Sequence, residues 1–241
     1  MKAMVFAAGL GSRLRPLTDT MPKALVPIQG VPLLEHVLLK IKQSGINQVV
    51  VNVHHFADQI IDFLAKNQNF GMDIYISDER DELLETGGGL RKACQYVGCD
   101  QPLLLHNVDI LSNLSLVDFI QSHKSSDGAT LVVSERDTSR YLLFDENFRM
   151  RAWQNTKTQE VKPAGCTIEH LQQFAFSGIQ IISPEMLACL AEMPTRFSII
   201  DFYLKMVERF SIRAYIPQDY RMIDVGKIDT LQAAESFLNT L

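Results

Sequence analysis

Apolar positions recur along this chain with two periods, and stretches of each alternate. Lys2 to Phe6 is a short apolar run that reads as a buried strand. Pro32 to Ser44 follows with helical spacing. Leu34, Leu38 and Ile41 share a face there, Pro32 suits a first helical position, and Gly45 supplies a stop. The alternation continues with a strand at Gln48 to Val53, a helix at Ala57 to Asn67 and a strand at Met72 to Ser77. It goes on with a helix at Gly88 to Val97, a strand at Gln101 to His106, a helix at Leu116 to His123 and a strand at Ala129 to Ser134. Strands and helices alternating at this spacing predict βαβ units and a mostly parallel sheet.

Beyond residue 135 the pattern changes. Tyr141 to Gln154 reads as a hairpin turning at Glu146-Asn147, and Asn155 to Gly165 as a polar loop. Gln173 to Ile182 reads as a strand with a glycine inside. Helices are expected at Pro184 to Glu192, Ser198 to Arg209 and Ile228 to Leu238, and short strands at Ile212 to Ile216 and Tyr220 to Val225. No repeat, low-complexity stretch or linker interrupts the pattern. The expectation is a single domain over residues 1–241 of class α/β: a Rossmann-like, mixed, mostly parallel sheet flanked by helices in three α/β/α layers. In such sheets ligands bind beyond the carboxyl ends of the strands.

Composition narrows the chemistry. The 241 residues are 46% hydrophobic and 21% charged, with a formal net charge of −5. That leaves no broad basic footprint, so nucleic acid is not expected as a partner. No stretch approaches the roughly 20 apolar residues of a membrane span, and the start lacks the pattern of a signal peptide. A cytoplasmic protein without membrane contact is expected. Cys94, Cys99, Cys166 and Cys189 show no CxxC spacing and read as reduced thiols.

Candidate chemistry begins directly after the first strand. Ala7-Ala8-Gly9-Leu10-Gly11-Ser12-Arg13 is a loop of small residues ending in a cation, and Lys23 follows ten residues later. Small residues let backbone N–H groups approach a phosphate. Arg13 can fork two phosphate oxygens, and Lys23 adds a point charge. The dinucleotide fingerprint is excluded because Leu14 stands where its third glycine belongs, and the Gly-Lys-Ser/Thr of a Walker A loop is missing. Asp109 follows the fourth strand, and Asp224 stands at a later strand end before a glycine. Two carboxylates plus phosphate oxygens suit Mg²⁺. Glu85-Thr86-Gly87-Gly88-Gly89 forms a second glycine cluster: either a flexible hinge before a helix, or a floor on which a flat base lies against backbone. His54-His55 lacks a third ligand at useful spacing and reads as loop or cleft packing. The lone Trp153 reads as a hairpin packing residue, and Glu79-Arg80-Asp81-Glu82 as a solvated loop.

The full pattern from Gly9-x-Gly11-Ser12-Arg13 through Pro16-Leu17-Thr18, Pro22-Lys23, Leu25-x-Pro27 and Gly30-x-Pro32-Leu33 resembles the signature of the sugar-1-phosphate nucleotidyltransferases. The Leu-Glu-Thr-Gly-Gly-Gly segment, the compact length and Phe176-Ser177-Gly178 resemble the bacterial N-acetylmuramate-1-phosphate uridylyltransferases in particular. The resemblance implies the nucleotide-diphospho-sugar transferase fold, with a nucleotide-binding half at 1–135 and a sugar-phosphate-binding half at 136–241. It implies that Ala7, Ala8, Gly9, Gly11, Ser12, Arg13, Lys23, Glu85, Thr86, Gly87, Gly88 and Asn107 bind an NTP, with UTP the best guess. Arg13, Lys23 and Asp109 would be catalytic, and Asp109 with Asp224 would ligate Mg²⁺. Tyr141, Asn155, Ser177 and Gly178 would line the acceptor side. The chain departs from the family at Val108, where glycine is commoner, and lacks the usual tryptophan before Asp224. Tyr141-Leu142 replaces a glycine that often contacts the sugar, and Trp153-Gln154-Asn155 stands where a glutamate is usual.

The implied reaction is attack of a sugar 1-phosphate on the α-phosphorus of the NTP with release of pyrophosphate, by a monomer or homodimer. N-acetylmuramate 1-phosphate is the best guess for the acceptor. Mannose- or heptose-1-phosphate guanylyl transfer, glucose-1-phosphate thymidylyl transfer and phosphocholine cytidylyl transfer remain alternatives. A nucleotide-sensing regulatory subunit on the same fold is the alternative that is not an enzyme.

Overall fold

The computed structural model describes residues 1–240. Its strands are β1 (Lys2–Phe6), β2 (Pro27–Ile28), β3 (Val31–Pro32), β4 (Gln48–Val53), β5 (Asp73–Asp78), β6 (Leu103–Asn107) and β7 (Ile110–Ser112). They continue with β8 (Asp127–Ser134), β9 (Arg140–Phe144), β10 (Met150–Asn155), β11 (Glu160–Lys162), β12 (Gln172–Ile182), β13 (Ser211–Tyr215) and β14 (Met222–Asp224). The helices are α1 (Leu33–Gln43), α2 (Ala57–Lys66), α3 (Glu85–Val97), α4 (Leu116–Ser122), α5 (Pro184–Ala188), α6 (Ile199–Met206) and α7 (Asp229–Leu238).

Ten strands form one mixed sheet. One end of it, β6-β1-β4-β5, is parallel throughout, as the βαβ pattern requires. β12 then runs antiparallel to β6 and, on its other edge, to β8. Alternate residues of each strand face opposite sides, so Ala3 and Val5 enter one core while Met4 enters the other. Buried residues of α1, α2, α4 and α7 complete the first core, and those of α3, α5 and α6 complete the second. Helices therefore cover both faces, giving the expected three layers.

β12 joins the two halves of the molecule. Residues 179–182 pair with β6 and residues 172–174 with β9, while Ala175 to Gly178 pair with neither. The register against β8 slips between Phe176 and Gln180, where Gly178 takes φ +73°. A side chain at Gly178 would run into the Asn107 side chain at the carboxyl end of β6. The glycine is thus required both by its backbone conformation and by the close approach.

Several expectations are corrected. Helix α3 begins at Glu85 rather than Gly88, so the second glycine cluster lies in its first turns. The backbone N–H groups of Gly87 and Gly88 donate to the Phe197 carbonyl, which anchors that helix start. The polar segment 155–165 contains the short strand β11, paired with β10. Pro184 to Glu192 divides into α5 and a 3-10 turn. Cys94 and Cys99 form a disulfide and are not reduced thiols; among the described residues Cys166 and Cys189 are free. Gly98 ends α3 at φ +71°, its N–H bonded to the Cys94 carbonyl, and turns the chain so that the two Cα atoms lie 5.6 Å apart. No helix among the described residues is long and apolar enough to cross a membrane.

Candidate active site

A cavity of about 420 Å³ opens at the carboxyl ends of β1, β4 and β6. Its floor is the loop that follows β1. Gly11 takes φ +63°, and a Cβ there would meet Thr18 Cγ2 at 2.8 Å. The Thr18 hydroxyl and the Leu14 N–H both donate to the Gly11 carbonyl, closing a tight turn that aims Ser12 and Arg13 at the cavity. Gly9 has open space where a Cβ would stand. Arg13 is exposed, lines the cavity and forms no ion pair among the described residues.

Lys23 arrives on a 3-10 turn, Lys23–Leu25, held by hydrogen bonds from Leu25 to the Pro22 carbonyl and from Val26 to the Lys23 carbonyl. Its side chain is buried and its ammonium donates to Asp109 Oδ2. Asp109 ends the β6–β7 connection. The carboxylate expected to pair with it is brought over by a ribbon that sequence reading did not anticipate. β7 pairs antiparallel with β14, setting Asp224 opposite Ile110, and the Val225 N–H donates to the Asp109 carbonyl at 2.8 Å. Asp109 and Asp224 thus become neighbours across one ladder. Asp224 keeps a solvent-facing side, yet burial against the cleft wall and then the negative charge of Asp109 push its carboxyl up, against the pull of Lys23, Arg13 and Arg136. A Cβ on Gly226 would lie 2.7 Å from Asp224 Oδ1 and 3.0 Å from Arg13 Nη2, so this glycine lets carboxylate and guanidinium approach each other.

The opposite wall holds two residues that motif reading passed over. Asn52 Oδ1 accepts from the N–H groups of Ala7 at 2.7 Å and Ala8 at 3.3 Å, and its Nδ2 donates to Glu79 Oε1 at 2.7 Å. Glu79 Oε2 accepts from the Leu84 N–H at 3.2 Å. Glu79 is 1% exposed, so it does not belong to the solvated loop expected for residues 79–82. The signal available in the sequence was an asparagine inside an otherwise apolar strand.

Ala7, Ala8, Gly9, Gly11, Ser12, Arg13, Lys23, Glu85, Thr86, Asn107 and Asp109 all line the cavity. Glu85 also pairs with Arg196 at 3.0 Å, and the Thr86 hydroxyl accepts from the Ile199 N–H at 2.9 Å. Gly87 and Gly88 do not line it. The places their side chains would take are filled by the Phe197 ring and the Thr195 carbonyl. The residues expected on the acceptor side, Tyr141, Asn155, Ser177 and Gly178, do not line this cavity; the Tyr141 hydroxyl accepts from the Thr138 N–H, and Asn155 Oδ1 accepts from the Lys157 N–H. Among the described residues the buried Ser177 and Tyr220 hydroxyls have no partner in good hydrogen-bond geometry, and burial pushes the Tyr220 phenol up against the weak pull of the Ser177 and Ser112 hydroxyls beside it. Trp153 stacks under Lys162, whose ammonium lies 5.4 Å from the ring, in keeping with a packing role. His55 packs against Phe56, and no group of three or more His, Cys, Asp or Glu among the described residues could hold a metal on protein donors alone.

Comparison with known proteins gives the family and the fold. The family model described as "Nucleotidyl transferase" matches residues 2–240. N-acetylmuramate alpha-1-phosphate uridylyltransferase of Caulobacter vibrioides is 45% identical over 109 residues, covering 44% of this chain and 45% of that protein. UTP–glucose-1-phosphate uridylyltransferase of Synechocystis sp. is 29% identical over 255 residues, covering 99% of this chain and 64% of that one. The chain thus spans less than two thirds of the length of these curated relatives. Among solved structures, a UDP-glucose pyrophosphorylase complexed with UDP-glucose superposes with a TM-score of 0.81 at 16% identity, covering 100% of this chain and 99% of that one, and so shares the fold.

Proposed function

The chain belongs to the nucleotidyl transferase family, and from that premise we propose that it joins a nucleoside triphosphate to a sugar 1-phosphate, releasing pyrophosphate. The observation that carries this reading is the convergence of Arg13 and the Lys23–Asp109 pair on the cavity above the Ala7–Arg13 loop, with Asp224 brought beside Asp109 by the β7–β14 ladder. Backbone N–H groups of the loop and the Arg13 guanidinium receive the β- and γ-phosphates. Lys23 sits between that loop and Asp109, where it can neutralise charge shared by the attacking and attacked phosphates. No protein nucleophile is required, because phosphoryl-type transfer depends on positioning and charge neutralisation. Asp109 and Asp224 fit a divalent cation: both are hard oxygen donors, and the burial and, after it, the repulsion from Asp109 that raise Asp224 would both be offset by one. Mg²⁺ held there, completed by phosphate oxygens and water, would neutralise charge at the α-phosphate.

Uridylyl transfer is the preferred reading for the base, since both relatives named above are uridylyltransferases. N-acetylmuramate 1-phosphate is the preferred acceptor because the Caulobacter relative carries the higher identity, and glucose 1-phosphate is the second reading because the Synechocystis relative aligns over nearly the whole chain. The test is pyrophosphate release with Mg²⁺ across UTP, GTP, CTP and dTTP, each against N-acetylmuramate, glucose, mannose and heptose 1-phosphates and phosphocholine. UTP with N-acetylmuramate 1-phosphate is expected to give the highest kcat/KM. A blank grid with tight nucleotide binding would overturn the reading in favour of a sensing subunit. Within the active pair, Arg13→Ala or Asp109→Ala should each lower turnover by about 100-fold or more; near-normal rates would remove the assigned roles.

A further inference from the structure

Asn52 and Glu79 are buried in the cavity wall and take no part in the transfer described above. Their hydrogen bonds form a single directed chain. Backbone N–H groups can only donate, so the two from Ala7 and Ala8 fix the Asn52 amide with its oxygen toward the loop and its nitrogen toward Glu79. That nitrogen and the Leu84 N–H are both donors, and each requires one oxygen of the Glu79 carboxylate. The carboxylate is confined: a Cβ on Gly89 would come within 2.8 Å of Oε1. One end of the chain is the loop after β1, and the other is the residue immediately before α3, whose Glu85 and Thr86 border the cavity.

We propose that Asn52 and Glu79 are positioning residues, a relay that sets the phosphate-binding loop at a fixed distance and orientation from the start of α3. The inference rests on the reading that this loop receives the triphosphate. Neither residue touches the reacting atoms. Together they hold the two walls between which a nucleotide fits, so that its phosphates and its base are placed by one rigid unit rather than by two independent loops.

The donor and acceptor pattern supplies its own test. In Glu79→Gln one acceptor is replaced by an N–H₂ group, so a donor faces a donor either at Asn52 or at Leu84. In Asn52→Asp a carboxylate oxygen faces Glu79 Oε1, acceptor against acceptor. In the double variant, which carries both Asn52→Asp and Glu79→Gln, every bond is restored with its polarity reversed at one link. The new carboxylate at position 52 accepts from the loop and from the new amide at position 79. The oxygen of that amide accepts from the Leu84 N–H. Net charge equals that of the native chain.

The experiment measures steady-state kinetics with UTP and the best acceptor, UTP affinity by calorimetry, and Tm for the four proteins. Each single variant is expected to lose about 10- to 100-fold in kcat/KM for UTP, the range set by one buried unsatisfied polar group. The acceptor KM should change little, and the double variant should recover to within about threefold of native, the spread expected of a restored pair. Where a single variant does not fold, recovery of folded, UTP-binding protein in the double is the same result. A double variant as poor as the product of the singles, or one that also fails to fold, overturns the relay. So do singles that lower Tm but leave UTP affinity untouched, since that is what packing alone would give. A native protein that neither binds UTP nor releases pyrophosphate overturns the functional reading and this inference together; an active native protein with an unrescued double overturns the relay alone.

Discussion

Of the two glycine clusters one lines the cavity and the other lies behind it, and they do opposite things. At Gly9 and Gly11 the backbone lies open to the cavity or turns left-handed to aim the following residues into it. At Gly87 and Gly88 the backbone is regular helix, and the missing side chains make room for Phe197 and the Thr195 carbonyl. In both places glycine signals close approach. What approaches differs: open cavity in the first, the other half of the chain in the second. The second cluster is thus a joint between the start of α3 and segment 195–199, fastened by Gly87 and Gly88 to Phe197, by Glu85 to Arg196 and by Thr86 to Ile199.

Substitutions can break this contrast. Gly88→Ala should have the largest effect on stability, about 3 kcal/mol as an overpacked site against rigid backbone, measured by urea unfolding. A change below about 0.5 kcal/mol, the scatter of neutral surface substitutions, would show that segment 195–197 yields freely and that the joint is loose. Acid provides a control that loads both clusters alike. His106, fully buried in β6, has its imidazole pushed down to about 4 by burial. The unfolded chain takes up that proton below its ordinary value of 6.5, so stability falls as pH drops from 6.5 toward 4 and is unaffected above. Between neutrality and about pH 5 the loss should be on the order of 2 kcal/mol, and His106→Gln should flatten that slope.

Gly11→Ala comes next, at about 1–2 kcal/mol for a left-handed residue, with the Thr18 contact added and a raised KM for the nucleotide. Gly9→Ala should be the mildest for the fold, within about 0.5 kcal/mol, because nothing of the protein lies where its Cβ would go. It should nevertheless weaken nucleotide binding about tenfold, a loss close to 1.4 kcal/mol. Full stability together with full affinity would show that the loop is not where phosphates lie.

The contrast also explains what the sequence made legible. Local patterns were sufficient for the alternating strands and helices, for the loop after β1 and for the positions of Asp109 and Asp224, because each is fixed by residues within a few positions. A glycine run looks the same in sequence whether a ligand or Phe197 lies beside it, so the contact of Gly87 and Gly88 with segment 195–197 was not legible. Glu79 was hidden inside a charged run, and only its distant partners Asn52 and Leu84 distinguish it from Arg80 and Asp81. The pairing of Cys94 with Cys99 depends on the reversal at Gly98, a helix-stop signal that went unused. The strand at β14 falls within the expected Tyr220 to Val225, but its partner β7 was invisible because three residues carry no periodicity, and with it the pairing.

That ribbon has a consequence for how the molecule comes into being. A chain emerging during synthesis can form β1, β4, β6, their loop, and the Lys23–Asp109 contact well before Met222 is made. It cannot set the second carboxylate beside the first until β14 folds back along β7. A fragment ending before Met222 would therefore keep the loop after β1 and the Lys23–Asp109 contact while lacking the second carboxylate beside them.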